Sequence, residues 1–164
     1  MEHDWCVFQV NHATRQRWLT YTQPDRMFAV WRDPVDRFRS AWAYLLGREC
    51  FHLSKEDMVE YQSIVENSLQ YLLDRLQGGD YSIFPELFQQ NVWGLWEDDV
   101  DVLRFSHLDQ DFNNYTQSHG LPYTSLPREK VNLYPKPELT SKQVAQVQMI
   151  YQEDYKPLDF WKPC

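Results

Sequence analysis

Glycine and lysine are both scarce in the first third of this chain. Five glycines occur in 164 residues, the first of them is Gly47, and no lysine precedes Lys55. A GxxxxGK[ST] loop, whose glycine backbone and lysine cradle nucleotide phosphates, is found nowhere, which excludes a nucleotide kinase built on that motif. Cysteine is equally sparse: Cys6, Cys50 and Cys164 are odd in number, far apart and without a CxxC or Cys/His cluster. Neither a disulfide framework nor a metal site is therefore expected. Apolar runs fall well short of the roughly 18 residues that span a bilayer. The opening Met1-Glu2-His3-Asp4-Trp5 has neither the basic nor the apolar stretch of a secretory signal. The expectation is a soluble protein of a reducing, cytoplasmic compartment, with no membrane partner.

What is present points to a folded chain. The hydrophobic share is 43% with no low-complexity tract, and the length suits one domain spanning residues 1–164. Aromatics reach 16%, with seven Trp and ten Tyr. Such side chains fill cores, and Tyr and Trp also line polar pockets because each carries a donor. The net charge of −8 disfavours nucleic-acid binding, which draws its affinity from Lys and Arg. The charge is uneven, however. Residues 1–50 are close to neutral and every base in them is Arg, from Arg15 to Arg48. Arginine suits bidentate phosphate contacts, so an anionic ligand is expected near this N-terminal third.

Hydrophobic patterning gives the order of elements. Val7 to Val10 reads as a short strand and Ala13 to Tyr21 as a helix ending near Pro24. Met27 to Trp31 is the clearest strand, a continuous apolar run of the kind covered on both faces in parallel α/β sheets. Asp33 then caps a helix with Pro34 at its first position, running from Val35 to about Leu46 and ending near Gly47. Ser54 caps a long helix through Leu76 that stops at Gly78-Gly79. Pro85 opens a helical segment over Glu86 to Trp96, and Val100 to Phe105 reads as a second strand. Leu108 to Ser118 is helical up to Gly120, Leu121 to Pro137 is an irregular loop, and Thr140 caps a helix from Ser141 to about Tyr155.

The chemistry gathers where the clearest strand ends. Arg32 leaves its carboxyl end, where ligands bind in open α/β sheets. Ser40 follows eight residues later, two turns into the helix. A helix folded back on the strand would let guanidinium and hydroxyl converge on one phosphate. The plainer alternative pairs Arg32 with Asp36 and leaves Ser40 a helix-surface hydroxyl.

The run Phe28-Ala-Val-Trp-Arg-Asp-Pro-Val-Asp-Arg-Phe-Arg-Ser-Ala-Trp resembles the 3′-phosphate-binding motif of the sulfotransferase superfamily, in its carbohydrate-type branch. That pattern is an apolar strand, Arg-Asp/Asn-Pro, two residues, Arg, two residues, then Ser-Ala and an aromatic. Here Arg32-Asp33-Pro34, Arg37, Ser40-Ala41 and Trp42 supply it without a gap. Later pieces resemble the family in the same order: Val100 to Phe112, interrupted at Ser106 and His107 where the family has Phe-Glu-x-Leu, then His119-Gly120-Leu121-Pro122, Lys130-Val131-Asn132, and Ile150 to Tyr155. The resemblance implies that Arg32 and Ser40 hold the 3′-phosphate of the donor 3′-phosphoadenosine 5′-phosphosulfate, that Lys130 meets a donor phosphate, and that Arg37 is a neighbouring structural charge. His12, in Asn11-His12-Ala13-Thr14, would be the base that takes the acceptor's proton, a task suited to imidazole; its plainer role is a helix-start or surface histidine. Gln89-Gln90-Asn91-Val92-Trp93 would face the acceptor groove or serve packing. His3, His52, His107 and His119 read as surface or turn residues.

One part of the family pattern is missing. The 5′-phosphosulfate loop, Pro-Lys with Gly/Ser/Thr after a first strand, has no counterpart, and the glycine and lysine it needs are the residues in short supply. The implied fold is therefore α/β and P-loop-NTPase-like, a small parallel sheet with many flanking helices, N-terminally truncated. The implied function is sulfuryl transfer to a hydroxyl acceptor, carbohydrate in this branch, without a metal. A non-catalytic nucleotide-binding or protein-interaction domain is the alternative. A homo-oligomer or a partner chain would cover the truncated edge.

Overall fold

In the computed structural model the described residues are 27–47, 59, 63, 68–81, 87–93, 98–122, 125, 126 and 135–155. The apolar run Met27–Trp31 forms strand β1, and Val100–Arg104 forms β2. They pair in parallel with Met27 opposite Val100 and Trp31 opposite Arg104, so both strands end side by side. Parallel neighbours require a long crossover. Here residues 32–99 provide it, carrying helix α1 (Pro34–Gly47), helix α2 (Leu69–Gln77) and a 3-10 turn at Gln90–Trp93. After β2 come a 3-10 turn at Phe105–His107, α3 (Leu108–Ser118), α4 (Ser141–Ile150) and a last 3-10 turn at Gln152–Asp154. The chain is mixed α/β, with a two-stranded parallel sheet among the described residues.

Helical spacing decides which faces meet. Phe38, Trp42 and Leu45 recur at four and three residues along α1 and pack with Leu72, Leu73 and Leu76 of α2, Val147 and Ile150 of α4, and Leu87 and Tyr151. Each such side chain removed from water contributes roughly 1.5–3 kcal/mol, so this cluster fixes how α1 lies against the later helices. The Tyr151 hydroxyl, buried with its ring, donates to the Leu87 carbonyl at 2.8 Å. Burial pushes that hydroxyl's pKa well above the ordinary tyrosine value. Helix α3 lies against one sheet face without closing it: Phe28 sets its ring 5.7 Å from Phe112 and 5.2 Å from Tyr115. Arg104 grips Asp111 through Nε and Nη2 at 2.9 and 2.8 Å, and its backbone N–H donates to the same carboxylate at 2.8 Å.

Several expectations hold and several are corrected. The Asp33 carboxylate accepts the Asp36 N–H at 2.9 Å, as a cap before Pro34 should. Thr140 and Gln143 form a full capping box at α4. The long helix drawn through Leu76 is interrupted at Ser68, whose φ of 144° is non-helical and whose hydroxyl caps α2 by accepting from the Tyr71 N–H at 3.4 Å. The helix drawn to Tyr155 ends at Ile150, and Tyr151 turns the chain into Gln152–Asp154. In place of a helix over Glu86 to Trp96, the described part holds the turn Gln90–Trp93, whose polar groups are engaged by distant partners. Strand β1 is not covered on both faces, for Phe28 is 44% and Val30 37% exposed. Among the described residues no helix is long and apolar enough to cross a membrane.

Candidate anion-binding site

Arg32 stands where a parallel strand gives way to a helix, and its backbone is fixed before its side chain is considered. Gln90, 6% exposed, straps it from the crossover: the Arg32 N–H donates to Gln90 Oε1 at 3.0 Å, and Gln90 Nε2 donates to the Arg32 carbonyl at 2.8 Å. One amide thus supplies both bonds that a neighbouring strand would otherwise make. The adjoining Asn91 N–H donates to Asp154 at 3.0 Å, and Gln89 donates to the Ile150 carbonyl at 2.7 Å. This Gln89–Asn91 stretch therefore orders the end of β1.

The Arg32 guanidinium lies 4.3 Å from the centroid of Phe105, the residue that follows β2. An aromatic face at this distance attracts a guanidinium and restricts its plane. Its Nε and Nη2 point to Asp36 Oδ2 at 2.8 and 2.7 Å, so the pairing of Arg32 with Asp36 occurs. The second Asp36 oxygen accepts from Lys136 Nζ at 2.6 Å. Lys136 is delivered by a chain segment that docks on α1, where Arg39 Nε donates to the Pro137 carbonyl at 2.7 Å. Burial works to raise the Asp36 pKa, yet the hydrogen bonds from Lys136 and Arg32 outweigh it and hold the carboxyl below its ordinary value. Two cations, one four residues from Asp36 and the other a hundred, therefore flank one carboxylate.

Ser40 is half-buried on α1, in the same β1–α1 unit as Arg32. Arg37 sits 6.0 Å from the Tyr151 ring centroid, and its charge opposes the burial effect on Asp154, in keeping with a structural role. His12 and Lys130 lie outside the described residues. Lys136 reaches Asp36 in the first turn of α1, and a lone lysine between two prolines gave no sign of that contact.

Behind the strand end lies Asp154, fully buried. Its main-chain carbonyl accepts from Trp31 Nε1 at 2.9 Å. Its Oδ2 and the buried Asn91 Oδ1 have no hydrogen-bond partner among the described residues. Burial raises the Asp154 pKa, against the lowering effect of the Gln90 and Asn91 amides and the Arg37 charge. A protonated carboxyl would turn that Oδ2 from an acceptor into a donor. His119, expected as a surface or turn residue, has its ring edge-on to Tyr115 at 4.5 Å and Nε2 3.1 Å from Asp101, tying α3 to β2. No group of three or more His, Cys, Asp or Glu suited to a metal occurs among the described residues.

The arrangement can hold an anion at the carboxyl end of a parallel sheet, where ligands of α/β proteins gather. No family model, curated protein or solved structure matches the chain.

Proposed function

We propose that the chain is a sulfotransferase-type protein with the P-loop-NTPase-like sulfotransferase fold, using Arg32 and Ser40 to hold the 3′-phosphate of 3′-phosphoadenosine 5′-phosphosulfate. The observation that carries this reading is the placement of Arg32: it closes a parallel strand, its backbone is strapped by Gln90, and its guanidinium already engages an anionic group. The ungapped motif from Arg32 to Trp42 supports it from the sequence side. In the transfer, the sulfur–oxygen bond to the donor's 5′-phosphate breaks and one to the acceptor hydroxyl oxygen forms. The acceptor's proton passes to a base, assigned to His12, leaving adenosine 3′,5′-bisphosphate and a sulfate ester. Lys130 would meet a donor phosphate, and a carbohydrate is the acceptor class that the motif favours. Positioning and charge stabilisation would carry most of the rate.

A second reading, a sulfotransferase-like domain that binds the nucleotide without turning it over, uses the same Arg32 and Ser40 site. Calorimetric titration of adenosine 3′,5′-bisphosphate into the chain, beside Arg32→Ala and Ser40→Ala, tests what both readings share. Binding that both variants abolish supports the site. A folded parent chain that takes up no nucleotide refutes it. Sulfuryl transfer to sugar hydroxyls, lost in His12→Ala, then separates catalysis from binding.

A further inference from the structure

We propose that Asp36 is a built-in occupant of a two-cation clamp formed by Arg32 and Lys136, and that an incoming phosphate dianion displaces it. This deepens the nucleotide reading above, rests on it for the ligand's identity, and adds Lys136 and Asp36 to the site.

The geometry sets the argument. Asp36 turns one oxygen to each cation: Oδ2 to the Arg32 fork at 2.7–2.8 Å, and Oδ1 to Lys136 Nζ at 2.6 Å. The two cations are thus already spaced to bind adjacent oxygens of one small oxyanion, and the oxygens of a phosphate are only slightly further apart than those of a carboxylate. Like charges that share one carboxylate repel one another, and Asp36 offsets that repulsion. With Asp36 the trio carries one net positive charge. A phosphate dianion in its place makes the site neutral, which favours exchange over addition.

Exposure makes the exchange inexpensive. The Asp36 and Lys136 side chains are 37% and 38% exposed, while Arg32 is more enclosed at 20%. Ion pairs this accessible to water hold their partners only weakly. A doubly charged oxyanion meeting an oriented guanidinium makes stronger charge-assisted bonds. Arg32 need not move, since Phe105 and Gln90 fix its plane and its backbone. Only the Asp36 side chain has to rotate toward solvent, and its backbone N–H stays on Asp33. The consequence is a restrained affinity: a site closed nine-tenths of the time binds about tenfold more weakly than the same site held open.

The test titrates inorganic phosphate, and separately adenosine 3′,5′-bisphosphate, into the full chain and into Asp36→Asn at low, fixed ionic strength. Asp36→Asn should bind both about tenfold more tightly, and adding Lys136→Ala should erase the gain. Unchanged or weaker phosphate binding by a folded Asp36→Asn overturns the proposal. A readout on the unaltered protein guards against a variant that does not fold. With phosphate bound, the Asp36 carboxyl carbon resonance should titrate at higher pH than without it; an unmoved titration under saturating phosphate also overturns the proposal. The two readings separate cleanly. If phosphate displaces Asp36 but the nucleotide binds no more tightly than phosphate, the nucleotide assignment fails and the clamp stands. Nucleotide uptake that leaves Asp36 undisturbed defeats the clamp alone.

Discussion

Replacing Gln90 by leucine removes the strap on Arg32 while keeping a buried side chain of similar size. Two hydrogen bonds disappear, at 3.0 and 2.8 Å, and the Arg32 N–H and carbonyl lose their shared partner in a part-buried place. Leaving such groups unsatisfied costs roughly 1–3 kcal/mol each, and the leucine's own apolar burial offsets part of this, for a net loss of about 2–4 kcal/mol. In a chain of this size that is a fall of about 5–12 °C in melting temperature. Urea unfolding monitored by tryptophan fluorescence gives the free energy directly. Gln90→Glu supplies an internal control. Its carboxylate can accept from the N–H but repels the carbonyl, and burial raises its folded pKa. The stability it supports is then complete below the unfolded carboxyl pKa and is lost as pH rises through the folded value, because only the protonated form can donate. The variant should therefore be as damaged as Gln90→Leu at neutral pH and recover toward the parent in acid. If both variants stay within about 0.5 kcal/mol of the parent, the strap does not hold the strand end and the reasoning fails.

Asp111 is held below the usual carboxyl range chiefly by the Arg104 hydrogen bonds. Its stabilising effect is present above the unfolded carboxyl pKa and lost as pH falls through the folded value, so an acid titration of stability should flatten in Asp111→Asn, which at neutral pH should cost about 2–4 kcal/mol. Asp154 has the opposite sign: burial raises its pKa, so its favourable protonated form is lost as pH rises through the folded value. Asp154→Asn keeps an acceptor for Asn91 and should remove that slope in a series of urea midpoints against pH. Thr140→Ala abolishes the α4 capping box and should cost about 1 kcal/mol by the same assay. Leu73→Ala, at a fully buried position between helices, should cost about 2–5 kcal/mol, readable as a lowered melting temperature.

Legibility in the sequence followed the range of the interactions involved. β1, the Asp33-Pro34 start of α1, α3 and the Thr140 cap are set by signals within a few residues, and each stands where its pattern placed it. The Arg32–Asp36 pair is also local, one helical turn long, and was one of two readings the spacing allowed. The break at Ser68 had a signal, since Asn67-Ser68 are cap-forming residues, but the apolar period on either side ran through them unbroken. The end of α4 at Ile150 comes from tertiary demand. Tyr151 reaches Leu87 and Asp154 reaches Asn91, and neither partner is visible from the local pattern. The strap made by Gln90 and the reach of Lys136 were illegible for the same reason. Their contacts with the β1–α1 unit span 58 and 100 residues, and only the fold brings them together.

The measurement that most directly tests the central claim is the preference of the chain for a 3′-phosphate. Adenosine 3′,5′-bisphosphate and adenosine 5′-monophosphate are titrated in parallel into the parent chain and Arg32→Lys, which keeps the charge but removes the planar fork. The account predicts tighter binding of the bisphosphate by the parent and a collapse of that preference in Arg32→Lys. Equal binding of the two nucleotides by the parent, or a preference untouched in Arg32→Lys, would contradict it.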